Sequence, residues 1–299
     1  AYQSIAVIGI LLTVMGFSVF IYSITQKLKP AFLMGCTLAA FNLTLMPAIS
    51  DCVYWFGGFI NYHLGVILLL FHVALLVLYF LSNSKRRWAY YTASWLLLVA
   101  VVGIHELAAL IVTSTYFVAV VSNRTSKSMR TPLLLLFITA VAGLLIVVLA
   151  PGNAVRSSHF SNQYNLLHSL MYSAAQMVRF GFYWIVNPAF ILLAYFTIKY
   201  GKKFIRPDAI QPHLAIILKA LCSSWFLAFF LPYFATGMLG QHRTAAFAFA
   251  VFIPTSLLLI VYYNEIISSI SSRINNLQIS IKVFSVALFF SLLFWGNTF

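Results

Sequence analysis

The sequence predicts an all-α, polytopic transmembrane helical bundle of about eight full spans plus one short helical hairpin. Three observations support this prediction. Apolar residues make up 63% of the 299 residues, charged residues make up 7%, and the mean hydropathy is +0.98. Runs of about 20 apolar residues, each long enough to cross a bilayer, follow one another along the chain. The basic residues lie between these runs, so residues 1–299 form a single transmembrane domain without a soluble one.

The basic residues orient the bundle. The formal net charge is +14, and most Lys and Arg residues fall into five clusters between hydrophobic runs. Because Lys- and Arg-rich loops stay in the cytoplasm, all five clusters are assigned to the cytoplasmic side, and the charge does not indicate a nucleic-acid partner. The clusters are Lys27/Lys29, Lys85/Arg86/Arg87, Arg124/Lys127/Arg130, Lys199/Lys202/Lys203/Arg206 and Arg273/Lys282.

The apolar runs give the spans in order, with those clusters inside. The predicted spans are 3–25, 31–50, 60–82, 132–150, 173–199, 214–236, 245–264 and 283–297. The Asn187-Pro188 pair should kink its span, because proline cannot donate the helical hydrogen bond. With this topology the chain begins on the outer side of the membrane.

Residues 89–122 form an apolar stretch that is too long for one untilted span and has basic clusters on both sides. Both ends are therefore assigned to the cytoplasm, and we predict two short helices that meet near Gly103-Ile104-His105-Glu106. Non-helical backbone at that depth is tolerated only beside protein or water. A buried cavity is therefore expected around this tip.

Two of the four acidic residues, Asp51 and Glu106, fall in the segments left for the outer face. Those segments are 50–65, the His105-Glu106 tip, 150–170 and 237–244. An acid inside an apolar run costs about 2.5–3.5 kcal/mol, so Glu106 marks a functional site by default. The alternative is a structural hydrogen bond that pins the hairpin tip. One carboxylate and one histidine are too few to assign a metal site, so a divalent metal stays open.

Residues 51–63 combine aromatic residues, a glycine pair and polar groups at one membrane boundary. An interfacial aromatic belt explains Trp55 and its neighbours. It does not explain Asn61 and His72, which fall within about 20° of each other on a regular helix. Their polar stripe fits either the wall of a wet cavity or interhelical hydrogen bonds.

Basic groups also converge on the outer face, where the positive-inside bias does not explain them. Arg156 follows the break at Pro151-Gly152-Asn153, Arg179 lies near the outer end of the next span, and His242-Arg243 falls in a short outer turn. Guanidinium groups match phosphate oxygens, and a lipid phosphate or pyrophosphate is the natural anion there. The sequence has no P-loop, GxGxxG loop, HExxH helix or GxSxG elbow. The absence of these motifs argues against the nucleotide-dependent reactions that soluble enzymes catalyse.

With these segments in order, the chain resembles a family of bacterial multi-pass proteins that look like membrane glycosyltransferases of the GT-C fold. The matching pieces, within about residues 45–245, are Tyr54-Trp55-x-x-Gly58-x-x-Asn61-Tyr62, Glu106 at a hairpin tip, Ala150-Pro151-Gly152-Asn153 with Arg156, and Arg243 after Pro232. The resemblance implies sugar transfer from a polyprenyl-phosphate donor, on the periplasmic face of the bacterial inner membrane.

The chain departs from the family pattern in two places. Relatives tend to have an Asn-Glu-Asn type tip where this chain has His105-Glu106-Leu107. The family also places an essential acid in the first outer loop, after the first span, and no such loop precedes Ala1. We therefore expect that the sequence lacks an N-terminal span and that loop.

Together these patterns predict an integral membrane glycosyltransferase with Glu106, His105 and Asp51 as catalytic candidates. Sugar transfer needs a base for the acceptor hydroxyl and positive charge at the leaving phosphate. The expected substrate-binding residues are Arg156, Arg243, Arg179, Asn61, Tyr62, Trp55, Asn153, His242 and His72.

The expected partners are membrane lipids, a polyprenyl-phosphate sugar as donor, and a glycan, lipid or protein acceptor of the cell envelope. No cofactor is assigned, and a complex with other membrane proteins stays open. Three alternatives remain: a lipid-linked glycan polymerase or ligase, a transporter or flippase of a lipid-linked or anionic substrate, and a structural subunit whose arginines contact phospholipids or a partner protein.

Overall fold

The computed structural model describes residues 2–122, 127–157, 159, 160, 163–204, 214–239, 242–263, 283, 286 and 287. This described part is about 90% helical and has no strand, which confirms the all-α prediction. In it, seven helices are long and apolar enough to cross a membrane, or eight if one bent pair of helices counts as a span.

The helices are α1 (Tyr2–Thr25), α2 (Leu28–Leu45), α3 (Phe56–Gly58), α4 (Leu64–Leu81), α5 (Arg87–Ile104), α6 (Glu106–Val121), α7 (Lys127–Val148), α8 (Pro151–Ser157), α9 (Leu166–Val186), α10 (Pro188–Phe204), α11 (Leu214–Thr236) and α12 (His242–Tyr263). Two π-helical turns, Ser50–Tyr54 and Phe59–His63, flank α3. The predicted span 283–297 lies outside the described residues except for positions 283, 286 and 287.

Helix α2 ends five residues earlier than the predicted span 31–50. Its last residue is Leu45, and Met46 adopts an extended conformation with φ −64° and ψ 134°. Met46 precedes Pro47, and a residue before proline is pushed out of the helical region by the proline ring. The chain therefore leaves the helix at Met46 and continues into the π-helical turns of residues 50–63.

The kink at Asn187-Pro188 is confirmed. Helices α9 and α10 meet there at an angle of 69°. The side-chain oxygen of Asn187 accepts a hydrogen bond from the backbone N–H of Ala189 at 2.9 Å, which caps the new helix. The single predicted span 173–199 is thus two helices.

The hairpin is also confirmed at its predicted meeting point, because α5 ends at Ile104 and α6 begins at Glu106. It differs from the prediction in one respect. Helix α5 has 18 residues and is long enough to cross a membrane, whereas α6 has 16. At 1.5 Å per residue, 18 residues span about 27 Å, which is close to the thickness of the hydrocarbon core.

Buried aromatic rings join the two halves of the bundle. Phe41 of α2 stacks on Phe249 of α12 with centroids 6.2 Å apart and also contacts Phe190 of α10. Trp184 at the end of α9 contacts both Phe249 and Phe252 of α12. These contacts hold the bent α9–α10 pair against the helices of the N-terminal half.

The register of the helix pairs places the polar segments at one end of the bundle. Thr115 of α6 contacts Ser224 of α11 through their hydroxyl groups, 3.2 Å apart. Tyr79 near the end of α4 contacts Trp88 near the start of α5, so the two helices run antiparallel. The tip at His105 is therefore at the opposite end from residues 82–86, at the same end as the segment 50–63.

Candidate functional site

His105 forms the turn between α5 and α6 and caps the second helix. Its backbone is extended, with φ −158° and ψ 139°, and its Nδ1 accepts a hydrogen bond from the backbone N–H of Leu107 at 3.0 Å. Because Nδ1 is the acceptor, the neutral ring carries its hydrogen on Nε2. Glu106 then occupies the first turn of α6, where the helix dipole favours negative charge.

The Nε2 atom of His105 lies 3.9 Å from Oε2 of Glu106. Their side chains are 14% and 21% exposed, so both are largely covered but accessible. The 3.9 Å separation exceeds hydrogen-bond length, and the two groups form an ion pair when the imidazole is protonated. The arrangement leaves a carboxylate beside an imidazole N–H at a membrane boundary, a pairing suited to proton transfer with a bound hydroxyl group.

Tyr62 packs against the hairpin tip. Its ring lies 4.7 Å from the His105 ring between centroids, at an interplanar angle of 51°. One turn further along α4, a Cβ placed on Gly65 would lie 3.9 Å from Cγ2 of Ile104. The start of α4 and the tip of the hairpin are therefore one packed unit, and Tyr62, His105 and Glu106 are named the tip group below.

The segment before α4 presents aromatic side chains on the surface. Tyr54, Trp55 and Phe56 are 57%, 52% and 45% exposed. The Trp55 ring covers the backbone of Gly57, where an added Cβ would lie 3.0 Å from Cζ2 of the indole. An added Cβ on Gly58 would overlap the Asp51 carbonyl oxygen. Both glycines thus permit close approach of the chain to itself, which fixes the position of Trp55.

The remaining polar candidates of this segment are on the surface. Asp51 is exposed, and one of its carboxylate oxygens accepts a hydrogen bond from the hydroxyl of Ser50 at 3.4 Å. Asn61 is exposed as well and falls inside the π-helical turn Phe59–His63. The 100° spacing that aligned Asn61 with His72 does not hold through a π-helical turn.

His72 is buried among three helices, in agreement with the interhelical alternative. Its Nδ1 lies 2.8 Å from the Ser94 carbonyl oxygen of α5, so Nδ1 carries the hydrogen. Its Nε2 accepts from the hydroxyl of Tyr116 on α6. Both ring nitrogens are used in these contacts, and His72 is 1% exposed. It holds α4, α5 and α6 together below the tip group.

The first turn of α12 lies at the same end of the bundle. His242 and Arg243 are its first two residues, although their side chains lie outside the described part of the structure. One turn after Arg243, Phe247 faces Gly65, where an added Cβ would lie 3.5 Å from the phenyl ring. The backbone at Arg243 is therefore at the membrane boundary of the tip group.

Two candidate residues, Asn153 and Arg156, lie in the segment 150–157. Asn153 donates from Nδ2 to the Val147 carbonyl oxygen at 2.7 Å and so covers the end of α7. Arg156 falls in α8, and its side chain lies outside the described part of the structure. The Pro-Gly break after α7 is present, with α8 beginning at Pro151.

Arg179 belongs to a different helix pair, formed by α9 and α11. It is exposed and donates from Nη1 to the side-chain oxygen of Gln176 at 3.4 Å. Gln176 in turn donates to the hydroxyl of Tyr233 at 3.3 Å. His168 and Tyr172 complete this surface, with their rings 4.3 Å apart.

Sequence reasoning did not single out several residues of these networks. Nε2 of His63 lies 2.7 Å from the hydroxyl of Thr13, which donates to the Gly9 carbonyl oxygen. Ser94 and Tyr116 contact His72 from helices distant in the chain. Polar residues inside apolar runs were the available signal, but nothing in the sequence pairs them. Within the described ranges, no three His, Cys, Asp or Glu residues are grouped so as to hold a metal ion.

The fold defines this chain as a multi-pass helical membrane protein. Its candidate site is a tip group of one tyrosine, one histidine and one glutamate at a membrane boundary. Comparison of the chain with protein-family models, with curated proteins and with solved structures gives no match.

Proposed function

We propose that the protein is an integral membrane glycosyltransferase that moves a sugar from a polyprenyl-phosphate donor to a cell-envelope acceptor on the periplasmic face of the bacterial inner membrane. The observation that carries this proposal is the tip group, in which Oε2 of Glu106 lies 3.9 Å from Nε2 of His105, and the His105 ring packs against the ring of Tyr62. A partly covered acid held beside a histidine, at the end of a membrane-spanning helix, is a candidate for proton transfer.

In the proposed reaction, the bond between the sugar anomeric carbon and the lipid phosphate breaks while a bond to the acceptor oxygen forms. The acceptor proton passes to the Glu106 carboxylate, which acts as general base. The lipid phosphate leaves with its negative charge, which the arginine at the start of α12 stabilises, with Arg156 in support. His105 orients the carboxylate, and Asp51 lies at the surface that the acceptor approaches.

Aromatic surfaces suit the sugar rings in this proposal. Trp55 is half-exposed and held over Gly57, so one indole face is fixed at the boundary. A rigid aromatic face contributes contact area at little conformational entropy, which favours binding of an apolar sugar face. Asn61, exposed beside it, supplies an amide for sugar hydroxyl groups.

The test is transfer in proteoliposomes that contain the purified chain, a radiolabelled polyprenyl-phosphate sugar and a crude envelope acceptor fraction. Glu106→Gln keeps the shape of the side chain but removes the base, so transfer should fall about 100-fold to 10,000-fold. Ser82→Ala, at the opposite end of α4, is the control and should transfer at the wild-type rate. Wild-type transfer by Glu106→Gln contradicts the assignment of the base.

The same liposomes separate the alternatives. Formation of a new glycosidic product supports the transferase, and chain-length analysis of that product distinguishes single transfer from polymerisation. Movement of the labelled lipid-linked sugar across the bilayer without product formation contradicts the transferase and supports a flippase.

A further inference from the structure

A polar stripe runs along α9. At 100° per residue, the five side chains His168, Tyr172, Gln176, Arg179 and Tyr183 fall within about 80° of the helix circumference. They extend over 16 residues of sequence, and the first and last are about 23 Å apart along the helix. A polar stripe on a membrane helix faces a partner that can satisfy it.

The stripe separates two apolar faces of α9. On one side, Phe180 stacks on Phe229 with centroids 5.2 Å apart, and Trp184 stacks on Trp225 at 5.8 Å, so this face packs on α11. On the other side, Val178 and Phe182 are 72% and 63% exposed. Arg179 therefore lies directly beside an uncovered hydrocarbon surface.

The guanidinium group of Arg179 is positioned by uncharged neighbours. It donates to Gln176, and its central carbon lies 5.7 Å from the Phe180 ring centroid and 6.0 Å from that of Tyr183. Within the described part of the chain, no carboxylate forms an ion pair with it. A cation at a membrane helix surface without an acid beside it is costly unless an anion or water compensates it.

The guanidinium group of Arg179 lies toward the end of α11. Its hydrogen-bond partner Gln176 contacts the hydroxyl of Tyr233, which lies three residues before the end of α11 at Thr236. Three residues correspond to about 5 Å of helix. Arg179 lies one turn beyond Gln176, so its backbone is about 9 Å from the end of α11. Its guanidinium group reaches back to Gln176, toward the polar headgroup layer, which is about 5–7 Å thick.

We propose that this stripe binds the phosphate group of a lipid that approaches sideways from the outer leaflet. Arg179 holds the phosphate oxygens through its fork of N–H donors. The hydrocarbon chain of the same lipid lies on Val178 and Phe182. A soluble phosphate would leave that apolar surface uncovered, so the arrangement favours an amphiphilic anion. The identity of the lipid as the polyprenyl phosphate of the donor rests on the proposed function, in which Arg179 binds the donor as it enters and Arg243 and Arg156 stabilise its phosphate during transfer.

The test is lipid binding to the full chain, followed by native mass spectrometry in detergent with polyprenyl phosphate as the titrant. Arg179→Gln should weaken binding at least about tenfold, because it removes a charge-assisted hydrogen bond to the phosphate. Arg87→Gln is the matched control. Arg87 also lies over two aromatic rings, those of Tyr79 and Trp88 at 5.8 and 5.2 Å, but at the opposite end of the bundle.

We expect the control to bind polyprenyl phosphate within about twofold of wild type, as usual for a surface charge away from the site. Equal weakening in both variants would show a nonspecific effect of charge and overturn the site. Unchanged binding in Arg179→Gln would overturn it as well. The unphosphorylated polyprenol should bind equally weakly to wild type and Arg179→Gln, and a difference between them contradicts a phosphate contact.

A second titrant separates the lipid sources. If phosphatidylglycerol binds wild type as tightly as polyprenyl phosphate, and Arg179→Gln weakens both, the phosphate site is supported and its assignment to the donor is overturned. The binding measurement does not depend on sugar transfer. Arg179-dependent lipid binding in a wild-type protein that forms no glycosidic product therefore contradicts the proposed function alone.

Discussion

The ring of Tyr62 lies against the ring of His105, with centroids 4.7 Å apart, although 43 residues of chain separate them. Tyr62 comes from a π-helical turn at the start of α4, and His105 is the cap of α6. The hydrogen bond to the backbone N–H of Leu107 holds Nδ1 of His105, and the packing of Tyr62 restricts the orientation of the rest of the His105 ring. The direction of Nε2 toward Glu106 therefore depends on a contact from another segment.

Replacement of Tyr62 tests that dependence. Tyr62→Ala removes the ring contact, and we expect the free energy of unfolding to fall by about 1–3 kcal/mol and sugar transfer to fall about tenfold or more. Tyr62→Phe retains the ring and should lie nearer to wild type in both respects. Thermal unfolding and transfer assays on the same preparations measure the two effects. Equal behaviour of Phe and Ala variants contradicts a packing role.

The glycine pair after Trp55 gives a second prediction. Gly57→Ala places a methyl group 3.0 Å from Cζ2 of Trp55, which displaces the indole, whereas nothing lies within 4 Å of a Cβ on Gly103. We expect Gly57→Ala to raise the KM for the lipid-linked sugar about tenfold with a smaller change in kcat, because a preformed contact surface is lost. Gly103→Ala is the control for the loss of a glycine.

Gly58→Ala should act differently from Gly57→Ala. Its methyl group would overlap the Asp51 carbonyl oxygen, which belongs to the backbone and cannot rotate away. We expect a loss of about 1–3 kcal/mol in the free energy of unfolding, typical of overpacking. Thermal unfolding compared with Gly57→Ala measures the difference, and equal stability of the two variants counts against this description of the turn.

The sequence was sufficient for most of the helices, because apolar runs are local signals. It also placed the hairpin tip at His105 and the bend at Asn187, since a polar pair and a proline interrupt otherwise apolar helices. The orientation of Asn61 could not be predicted. The π-helical turn that contains it breaks the 100° spacing on which the comparison with His72 depended.

The hydrogen-bond partners of His72 could not be predicted from the sequence, for another reason. Ser94 and Tyr116 lie 22 and 44 residues away on separate helices. A serine or tyrosine inside an apolar run has many alternative partners, and only the packing of α4, α5 and α6 selects one. The sequence could state that His72 needs hydrogen bonds, but not which residues supply them.

The His72 network should contribute to stability more than to catalysis. Tyr116→Phe leaves Nε2 of His72 buried without a donor, and we expect a loss of about 1–2 kcal/mol in the free energy of unfolding. Tyr90→Phe, on the same hairpin, is the control. Denaturant unfolding in mixed micelles measures both variants. Wild-type stability of Tyr116→Phe means that another group replaces the hydroxyl.

Asn42 provides the sharpest test of packing in the bundle. It is fully buried in α2, and neither atom of its amide group has a hydrogen-bond partner in the described part of the chain. Gly35, seven residues earlier and so on nearly the same face, packs against Ser18 of α1. The amide of Asn42 is therefore enclosed within the N-terminal helix pair, where a polar group without partners is destabilising.

Asn42→Leu replaces this amide by an apolar side chain of similar size. We expect the free energy of unfolding to rise by about 1–3 kcal/mol, because the penalty for burying an unpartnered amide is removed. Thr37→Leu, at a partly exposed position of the same helix, controls for the general gain in hydrophobicity. A loss of stability in Asn42→Leu would instead show that an ordered water satisfies the amide, because such a water bonds to two or more buried polar groups and is costly to remove.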